Sequence, residues 1–238
     1  MFNNIKQIYL KEIKSYFDGP MAYIFLVIFS LVTGYFFSNT FFIFGQSDMR
    51  ALFQIVPLVY LFFIPAITMG IISKEKNIGT MEVICTLPIK DYEFVIGKYL
   101  AILSLLKIAL FLTGIMFINL IFVGTNIDYG AVFTGYLGLF LAGSVYAAMG
   151  IFASSLTDNQ VVGFIIAIFL VLIFFLIDKL LIFMPNMIAG TMQYLSIDYH
   201  LSNISKGVID SRNIIYFLSM ISLFLILTIE SLGSRKWN

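Results

Sequence analysis

The sequence has few charged side chains. Of its 238 residues, 11% are charged and 61% are hydrophobic. A soluble domain is about 25% charged and roughly 45–50% apolar. So little charge leaves too few polar groups to cover a water-soluble particle, and so much apolar surface excludes a disordered chain. The composition therefore predicts an integral membrane protein.

Cysteine and histidine occur once each, as Cys85 and His200. A single cysteine excludes an internal disulfide and a cysteine metal cluster, and a single histidine excludes chemistry built on a histidine pair. The net charge of +1 gives no basis for binding nucleic acid. His200 follows Asp198 and Tyr199 and is predicted to lie on the external surface.

Long apolar stretches dominate the rest of the chain. A helix needs about 20 mostly apolar residues to cross the hydrocarbon core of a bilayer. Six stretches satisfy this requirement: residues 21–44, 52–72, 99–123, 132–155, 161–183 and 214–232. They are continuously apolar rather than alternating, so helices are predicted instead of β-barrel strands. The predicted fold class is an all-α integral membrane protein with six transmembrane helices in a single domain over residues 1–238.

The positive charges predict how these helices are oriented. Six spans place both termini on one side, and that side carries nine cationic residues: Lys6, Lys11, Lys14, Lys74, Lys76, Lys90, Lys98, Arg235 and Lys236. The opposite side carries four: Arg50, Lys179, Lys206 and Arg212. The positive-inside rule therefore predicts cytoplasmic termini. Frequent isoleucine, phenylalanine, asparagine and lysine favour a bacterial source, and so a bacterial plasma membrane.

Residues 4–17 are predicted to form an amphipathic helix in the membrane interface. Five side chains share its apolar face: Ile5, Ile8, Tyr9, Ile13 and Tyr16. Lys11 and Lys14 lie opposite, where they suit anionic headgroups, and Gly19 with Pro20 ends the helix. Glu12 is the exception, because it falls on the apolar face. The helix is interpreted either as an anchor alone or as an anchor that also contacts a cytoplasmic partner, with Glu12 pairing there.

The loop over residues 73–98 holds the most informative sequence outside the spans. Thr80 is predicted to cap a short helix with Glu82 in its first turn, where the helix dipole favours a carboxylate. Three residues and the proline that ends the helix share one face: Met81, Ile84, Cys85 and Pro88. Asp91 is predicted to cap a second helix that re-enters the membrane. A short projecting helix suits a groove on a soluble partner and equally suits the headgroup surface.

Three sequence motifs resemble ABC-2 type permeases, the membrane subunits of one class of ATP-driven exporters. Residues 75–82 (EKNIGTME), followed by Pro88 and Gly97-Lys98, resemble the cytoplasmic signature of that family. Residues 11–20 (KEIKSYFDGP) and 203–212 (NISKGVIDSR) also resemble the branch that includes gliding-motility and copper-processing permeases. The resemblance covers nearly the whole chain, and the order of the motifs is more specific than any one of them.

The resemblance implies a role for each segment outside the spans. The N-terminal helix would be the elbow helix, residues 79–87 the coupling helix that docks on the ATPase, and residues 185–210 short external or partly re-entrant helices. The residues implied in ATPase coupling are Glu75, Gly79, Thr80, Met81, Glu82, Ile84, Leu87 and Pro88. Two six-span halves would meet largely through the first and fifth spans. The expected partners are an ATPase, a second permease half, identical or paralogous, and membrane lipids.

The nucleotide-binding subunit is expected to be a separate polypeptide. A phosphate-binding P-loop needs the pattern GxxxxGK[ST] after a strand. Gly97-Lys98 is followed by Tyr99 rather than serine or threonine, and position 92, where the pattern needs its first glycine, is Tyr92. We therefore expect this chain to be non-catalytic and to bind no cofactor, with ATP held by the partner subunit.

Lys107 is the one charge well inside a predicted span, about nine residues and roughly 13 Å from its start. It is interpreted either as part of a translocation path or as a lysine whose side chain snorkels to the cytoplasmic surface.

Two other spans have distinctive compositions. The fourth is rich in glycine, alanine and serine, which predicts close helix packing, and Pro57 and Pro65 are predicted to kink the second.

Two other functional classes are alternatives. A secondary transporter or channel would show internal repeats and several charges near the midplane, whereas here only Lys107 approaches it. A membrane-embedded enzyme would need a nucleophile–base pair or a metal cluster. A sequence with one histidine, one cysteine and no HExxH motif makes the enzyme the weakest of the three.

Overall fold

The computed structural model describes residues 2–44, 49–86, 88–124, 127–183 and 185–233. Within these ranges the chain forms helices joined by turns and loops, with no strand. The α-helices are α1 (Phe2–Asp18), α2 (Met21–Phe44), α3 (Arg50–Thr68), α4 (Ser73–Ile78), α5 (Thr80–Thr86), α6 (Asp91–Val123), α7 (Tyr129–Leu156), α8 (Gln160–Leu180), α9 (Asn186–Gln193), α10 (Ile197–Ile204) and α11 (Ser211–Gly233). A 3₁₀ turn, Leu181–Phe183, follows α8.

Six of the described helices are long and apolar enough to cross a membrane, namely α2, α3, α6, α7, α8 and α11. This confirms the predicted all-α fold class. Helix α6 differs most from its predicted span, because it begins at Asp91 rather than near Tyr99. Its 33 residues are roughly 50 Å long, which exceeds a hydrocarbon core of about 30 Å. Its first turns therefore extend beyond the membrane and form part of the surface described below.

Helix α7 forms the centre of the bundle, where α3, α6, α8 and α11 pack around it. Its glycines make this packing close, because each leaves room for a side chain of a neighbouring helix. A Cβ atom at Gly135 would lie 2.1 Å from the Phe53 ring, and one at Gly143 would lie 2.6 Å from Leu106. The close packing predicted for the fourth span is thus confirmed within this chain. Helix α3, in turn, stays helical from Arg50 to Thr68 with both of its prolines inside it.

Helix α10 packs into one end of the bundle, which we call the α10 end. Ile197, Leu201 and Ile204 are buried against the transmembrane helices. A Cβ atom at Gly138 would lie 2.8 Å from Leu201. Gly138 stands nine residues after the start of α7, about 13 Å along the helix. Helix α10 therefore packs along the first third of α7, and its external or partly re-entrant placement in the membrane stays a prediction.

His200, on the same helix, is not a surface residue as predicted, since only 3% of it is exposed. Its Nδ1 atom lies 2.7 Å from Asn213 Oδ1, and its Nε2 atom lies 3.0 Å from the Tyr194 carbonyl oxygen. The ring also stacks on Tyr216 with centroids 3.9 Å apart. The prediction was wrong because it considered only the polar neighbours in sequence. His200 is buried because this side of α10 packs against α11, and the sequence does not show that contact.

Candidate functional site

The end of the bundle opposite α10 carries helices α1, α4 and α5 and the first turns of α6, and we call it the coupling end. The sequence predicted one short helix here, beginning at Thr80, but there are two. Helix α4 ends at Ile78, the backbone of the following Gly79 is left-handed with φ of 80°, and α5 begins directly after it. A left-handed residue favours glycine because it has no Cβ. The Thr80 hydroxyl donates a hydrogen bond back to the Glu75 carbonyl oxygen (3.2 Å) and so ties the two helices together.

Helix α4 is fixed to the central helix α7. The Ser154 hydroxyl oxygen accepts hydrogen bonds from the backbone N–H groups of Ile72 and Ser73, each at 3.1 Å. The same hydroxyl donates to the Met69 carbonyl oxygen at 2.8 Å. Lys76 Nζ donates to the Ser155 carbonyl oxygen. The end of α3 and the start of α4 are thus held by two adjacent serines of α7.

The start of α6 is capped differently from the prediction. Lys90, not Asp91, is the residue that precedes the helix, and Asp91 lies in the first turn. The cap comes from Glu93, whose Oε2 atom accepts a hydrogen bond from the Lys90 backbone N–H at 3.2 Å. Asn4 Nδ2 donates to the same carboxylate oxygen at 3.1 Å. The first turn of α6 is therefore also a contact point for α1.

Helix α1 packs along α6 through its apolar face. A Cβ atom at Gly97 would lie 2.8 Å from Ile8, so the glycine allows the two helices to approach closely. The hydroxyls of Tyr9 and Ser104 are 3.0 Å apart, and the Tyr16 hydroxyl donates to the Ile67 carbonyl oxygen at 3.0 Å. Burial, together with the nearby Glu12 carboxylate, raises the pKa of the Tyr16 hydroxyl. It therefore stays protonated and able to donate.

Four charged side chains form a partly buried ion cluster at the coupling end: Lys11, Glu12, Glu75 and Lys98. Lys98 is at its centre with a side chain only 1% exposed, and its Nζ atom lies 2.8 Å from Glu12 Oε1 and 2.9 Å from Glu75 Oε2. Lys98 Nζ also donates to the Ile71 carbonyl oxygen at 2.8 Å. Lys11 Nζ lies 3.1 Å from Glu75 Oε1. The cluster joins α1, α4 and α6, and its charges cancel, with two cations facing two carboxylates.

The ion cluster explains the carboxylate on the apolar face of α1. Glu12 pairs with Lys98 of the same chain, so the interpretation that it pairs with a cytoplasmic partner is wrong. A carboxylate placed among apolar side chains needs a partner, because an unpaired buried charge is costly. Periodicity showed that Glu12 faces inward. It could not show that its partner lies 86 residues further along the chain.

The eight residues predicted for ATPase coupling do not share one surface. Thr80, Glu82 and Pro88 are exposed at the tip, whereas Met81 and Ile84 are half-buried against the bundle. Glu75 belongs to the ion cluster, and Gly79 joins α4 to α5. Leu87 lies outside the described residues.

Two exposed residues at the tip were not predicted. Ile78 is 61% exposed and Val83 is 64% exposed, and both are apolar. The predicted stripe through Met81 and Ile84 instead packs against the bundle of this same chain. The stripe is the more regular apolar pattern of this segment, so the sequence predicted the stripe as the contact surface and not the exposed residues Ile78 and Val83. Each is a hydrophobic residue on a short helix outside the apolar stripe, and this is the sequence feature that could have identified them.

Lys107 lies on the exposed outer face of α6, beside Ile108 and Phe111. It stands three residues, about 4.5 Å along the helix, beyond Ser104, which contacts Tyr9 of the amphipathic helix α1. An amphipathic helix with lysines on its polar face marks the level of the membrane surface. This depth is within the reach of a long lysine side chain, and the two interpretations, a snorkelling lysine and part of a translocation path, both stay predictions.

These observations define a class of protein: a multi-pass α-helical membrane protein with an amphipathic helix and a short helix pair fixed to one end of its bundle. Residues 46–229 match the family described as ABC-2 family transporter protein. The chain therefore belongs to the ABC-2 transporter family, as its motifs suggested. The match begins before α3 and ends within α11, so it includes α4, α5 and α10. No match was found among curated proteins.

Proposed function

We propose that this chain is the non-catalytic membrane half of an ATP-driven exporter and that a separate ATPase binds at the coupling end. The observation that supports this proposal most directly is the pair of exposed apolar side chains, Ile78 and Val83, at the tip of α4 and α5. Membership of the ABC-2 family makes an ABC ATPase the expected partner. The proposed topology puts this end, with both termini, on the cytoplasmic side of a bacterial plasma membrane.

The shape of the tip suits a groove on the ATPase. A short helix that presents an apolar anchor beside exposed polar groups is a common way to fill such a groove. Here Val83 and Ile78 are the anchors, and Thr80 and Glu82 are exposed polar neighbours. Because the ion cluster and the serines of α7 fix α4 to the bundle, a displacement of the tip would be passed on to α1, α6 and α7 together.

The exporter would need a second membrane half. Three transmembrane helices are weakly covered within this chain: in their apolar segments, only 17% of α8, 22% of α11 and 28% of α2 is buried. Helices α2 and α8 are the first and fifth spans, through which the family resemblance implies that two ABC-2 halves would meet. We propose that each half contributes one side of the translocation path and that neither α2 nor α8 faces only lipid in the assembled exporter.

Val83→Asp is expected to lower the amount of ATPase bound to the permease about tenfold, because a carboxylate would replace an apolar anchor at the centre of the contact. The full-length permease would be purified from its own cells, and the co-purifying P-loop ATPase measured by quantitative mass spectrometry and by ATP hydrolysis.

Val208→Asp is the matched control. Val208 is 67% exposed, close to the 64% of Val83, but it lies near the α10 end. The control is expected to retain the ATPase. Equal retention of ATPase by both variants would contradict the proposed docking surface. Absence of any P-loop ATPase from the unmodified permease would contradict the proposed function itself.

A further inference from the structure

A polar pocket of about 330 Å³ lies at the α10 end, between α10 and the start of α11. Its polar lining includes Tyr194, Tyr199, His200, Lys206, Arg212 and Asn213, and we call it the α10 pocket. None of these residues belongs to the coupling end, and the proposed function uses none of them. The pocket is therefore separate from the surface proposed to bind the ATPase.

The inner wall of the pocket is rigid. His200 and Asn213 are 3% and 5% exposed, and the hydrogen bond between them fixes both side chains. The Tyr216 hydroxyl donates to the Leu195 carbonyl oxygen at 2.6 Å, which anchors the ring that stacks on His200. A wall held in this way needs little reordering when a ligand binds, and a preformed site loses less entropy on binding.

Two cations at the mouth of the pocket have no carboxylate partner within the described part of the chain. Among the described residues, the hydrogen-bond partner of Lys206 Nζ is the Asn203 amide oxygen, at 3.3 Å, and Arg212 forms no ion pair there. Of the two nearby carboxylates, Asp198 pairs with Lys179 at 2.7 Å. Asp210 lines the pocket, and its Oδ1 atom accepts a hydrogen bond from the Arg212 backbone N–H at 2.9 Å. With Asp210 included, the lining has a net charge of +1.

The rim of the pocket is apolar. Two exposed hydrophobic residues, Tyr194 and Val208, line the pocket itself. Three further exposed hydrophobic residues lie within two residues of its lining in the sequence: Leu195, Ile209 and Ile215. Ile215 belongs to the start of α11, a membrane-spanning helix. A cationic pocket with an apolar rim at the end of a transmembrane helix is positioned where lipid headgroups lie.

We propose that the α10 pocket binds a phosphate group, supplied by the headgroup of an anionic lipid. Arg212 offers a planar fork of N–H donors that matches phosphate oxygens, and Lys206 adds a second charge. Tyr194 and Tyr199 would contact the glycerol part through their rings. The apolar rim favours a lipid over a soluble phosphate as the source, because only a lipid continues into acyl chains that would cover it.

The test compares phosphatidylglycerol bound to the full chain and to a variant that lacks both cations, Lys206→Gln with Arg212→Gln. Each protein would be placed in phosphatidylcholine nanodiscs with a minor fraction of phosphatidylglycerol, and the lipid retained after detergent extraction would be counted by native mass spectrometry. We expect retention to fall about tenfold in the variant, because two charge-assisted contacts to phosphate are lost.

A charge-matched control removes the other lysine and arginine of the same end, Lys179→Gln with Arg50→Gln, which do not line the pocket. Both variants lose two positive charges, so the general attraction of an anionic lipid to this end falls equally in both. Because the control keeps Lys206 and Arg212, it is expected to retain about fivefold more phosphatidylglycerol than the pocket variant. Elution volume and Tm would show that both variants are folded. Lys206→Gln alone serves if the double variant is not, because Lys206 is exposed.

Glycerol 1-phosphate separates the two sources of phosphate. If it binds the unmodified chain but not the pocket variant, and phosphatidylglycerol shows no preference, the pocket recognises a soluble phosphate and the lipid source is wrong. Phosphatidylglycerol retention that depends on the two cations and survives an excess of glycerol 1-phosphate supports the lipid. If the pocket variant and the control retain both ligands equally, the proposal is overturned.

Discussion

Lys98→Met is expected to destabilise the protein by about 3 kcal/mol, the low end of the cost of breaking a buried ion pair by removing one partner. The substitution leaves Glu12 without a cation at the interface between α1 and α6, where its side chain is only 13% exposed. Glu75 would keep Lys11 as a partner, which limits the loss. In a chain of this size the change corresponds to a fall in Tm of roughly 10 °C, to be measured by thermal unfolding in detergent.

Lys11→Met is the comparison that makes this result specific. It also removes a cation from the ion cluster, but the Lys11 side chain is 65% exposed. Exposed ion pairs contribute about 0–1 kcal/mol, so the Tm of this variant is expected to change little. Equal effects of the two substitutions would contradict a central role for Lys98.

A triple variant tests whether the unpaired carboxylates cause the loss. Glu12→Gln and Glu75→Gln, added to Lys98→Met, remove the charges that the first substitution left without a full partner. Most of the cost of breaking a buried ion pair is the uncompensated charge that is left behind, and the glutamines remove that charge while keeping the size of the side chains. The triple variant is therefore expected to regain part of the Tm that Lys98→Met loses, and a further decrease would argue against the electrostatic explanation.

The ion cluster also marks the limit of what the sequence could predict. Six spans were predictable because a continuous apolar stretch of about 20 residues has few other stable environments. Helix α1 was predictable because its apolar residues repeat at helical spacing. Periodicity identifies a buried face but not what covers it. Lys98 was therefore counted as a surface cation, although α1 and α4 enclose it.

The coupling end shows the same limit for a functional surface. An apolar stripe on a short helix predicts burial, and Met81 and Ile84 are indeed partly buried. The bundle of the same chain covers them, and the exposed residues Ile78 and Val83 are on the other side. The family resemblance located the right segment. Within that segment, only the packing of α4 and α5 could distinguish the inward face from the outward one.

The effect of a glycine-to-alanine substitution in a transmembrane helix is expected to depend on what the added methyl group would contact. Gly150→Ala is expected to destabilise the protein by about 2 kcal/mol, typical of a methyl group forced into a filled space. A Cβ atom there would lie 2.1 Å from Thr68 Oγ1 and 2.8 Å from Thr68 Cβ. The threonine cannot easily turn away, because its hydroxyl donates to the Ile64 and Pro65 carbonyl oxygens at 2.9 and 3.2 Å. Helices α3 and α7 would have to separate.

Gly114→Ala is the control within the same membrane. Gly114 lies in α6, and nothing stands within 4 Å of its added Cβ atom. Alanine is the better helix former, so this variant is expected to keep its Tm or raise it slightly. Thr68→Ala, combined with Gly150→Ala, removes the atom that clashes most and is expected to restore part of the loss. If Gly150→Ala and Gly114→Ala unfold at the same temperature, α3 and α7 are not packed as closely as described.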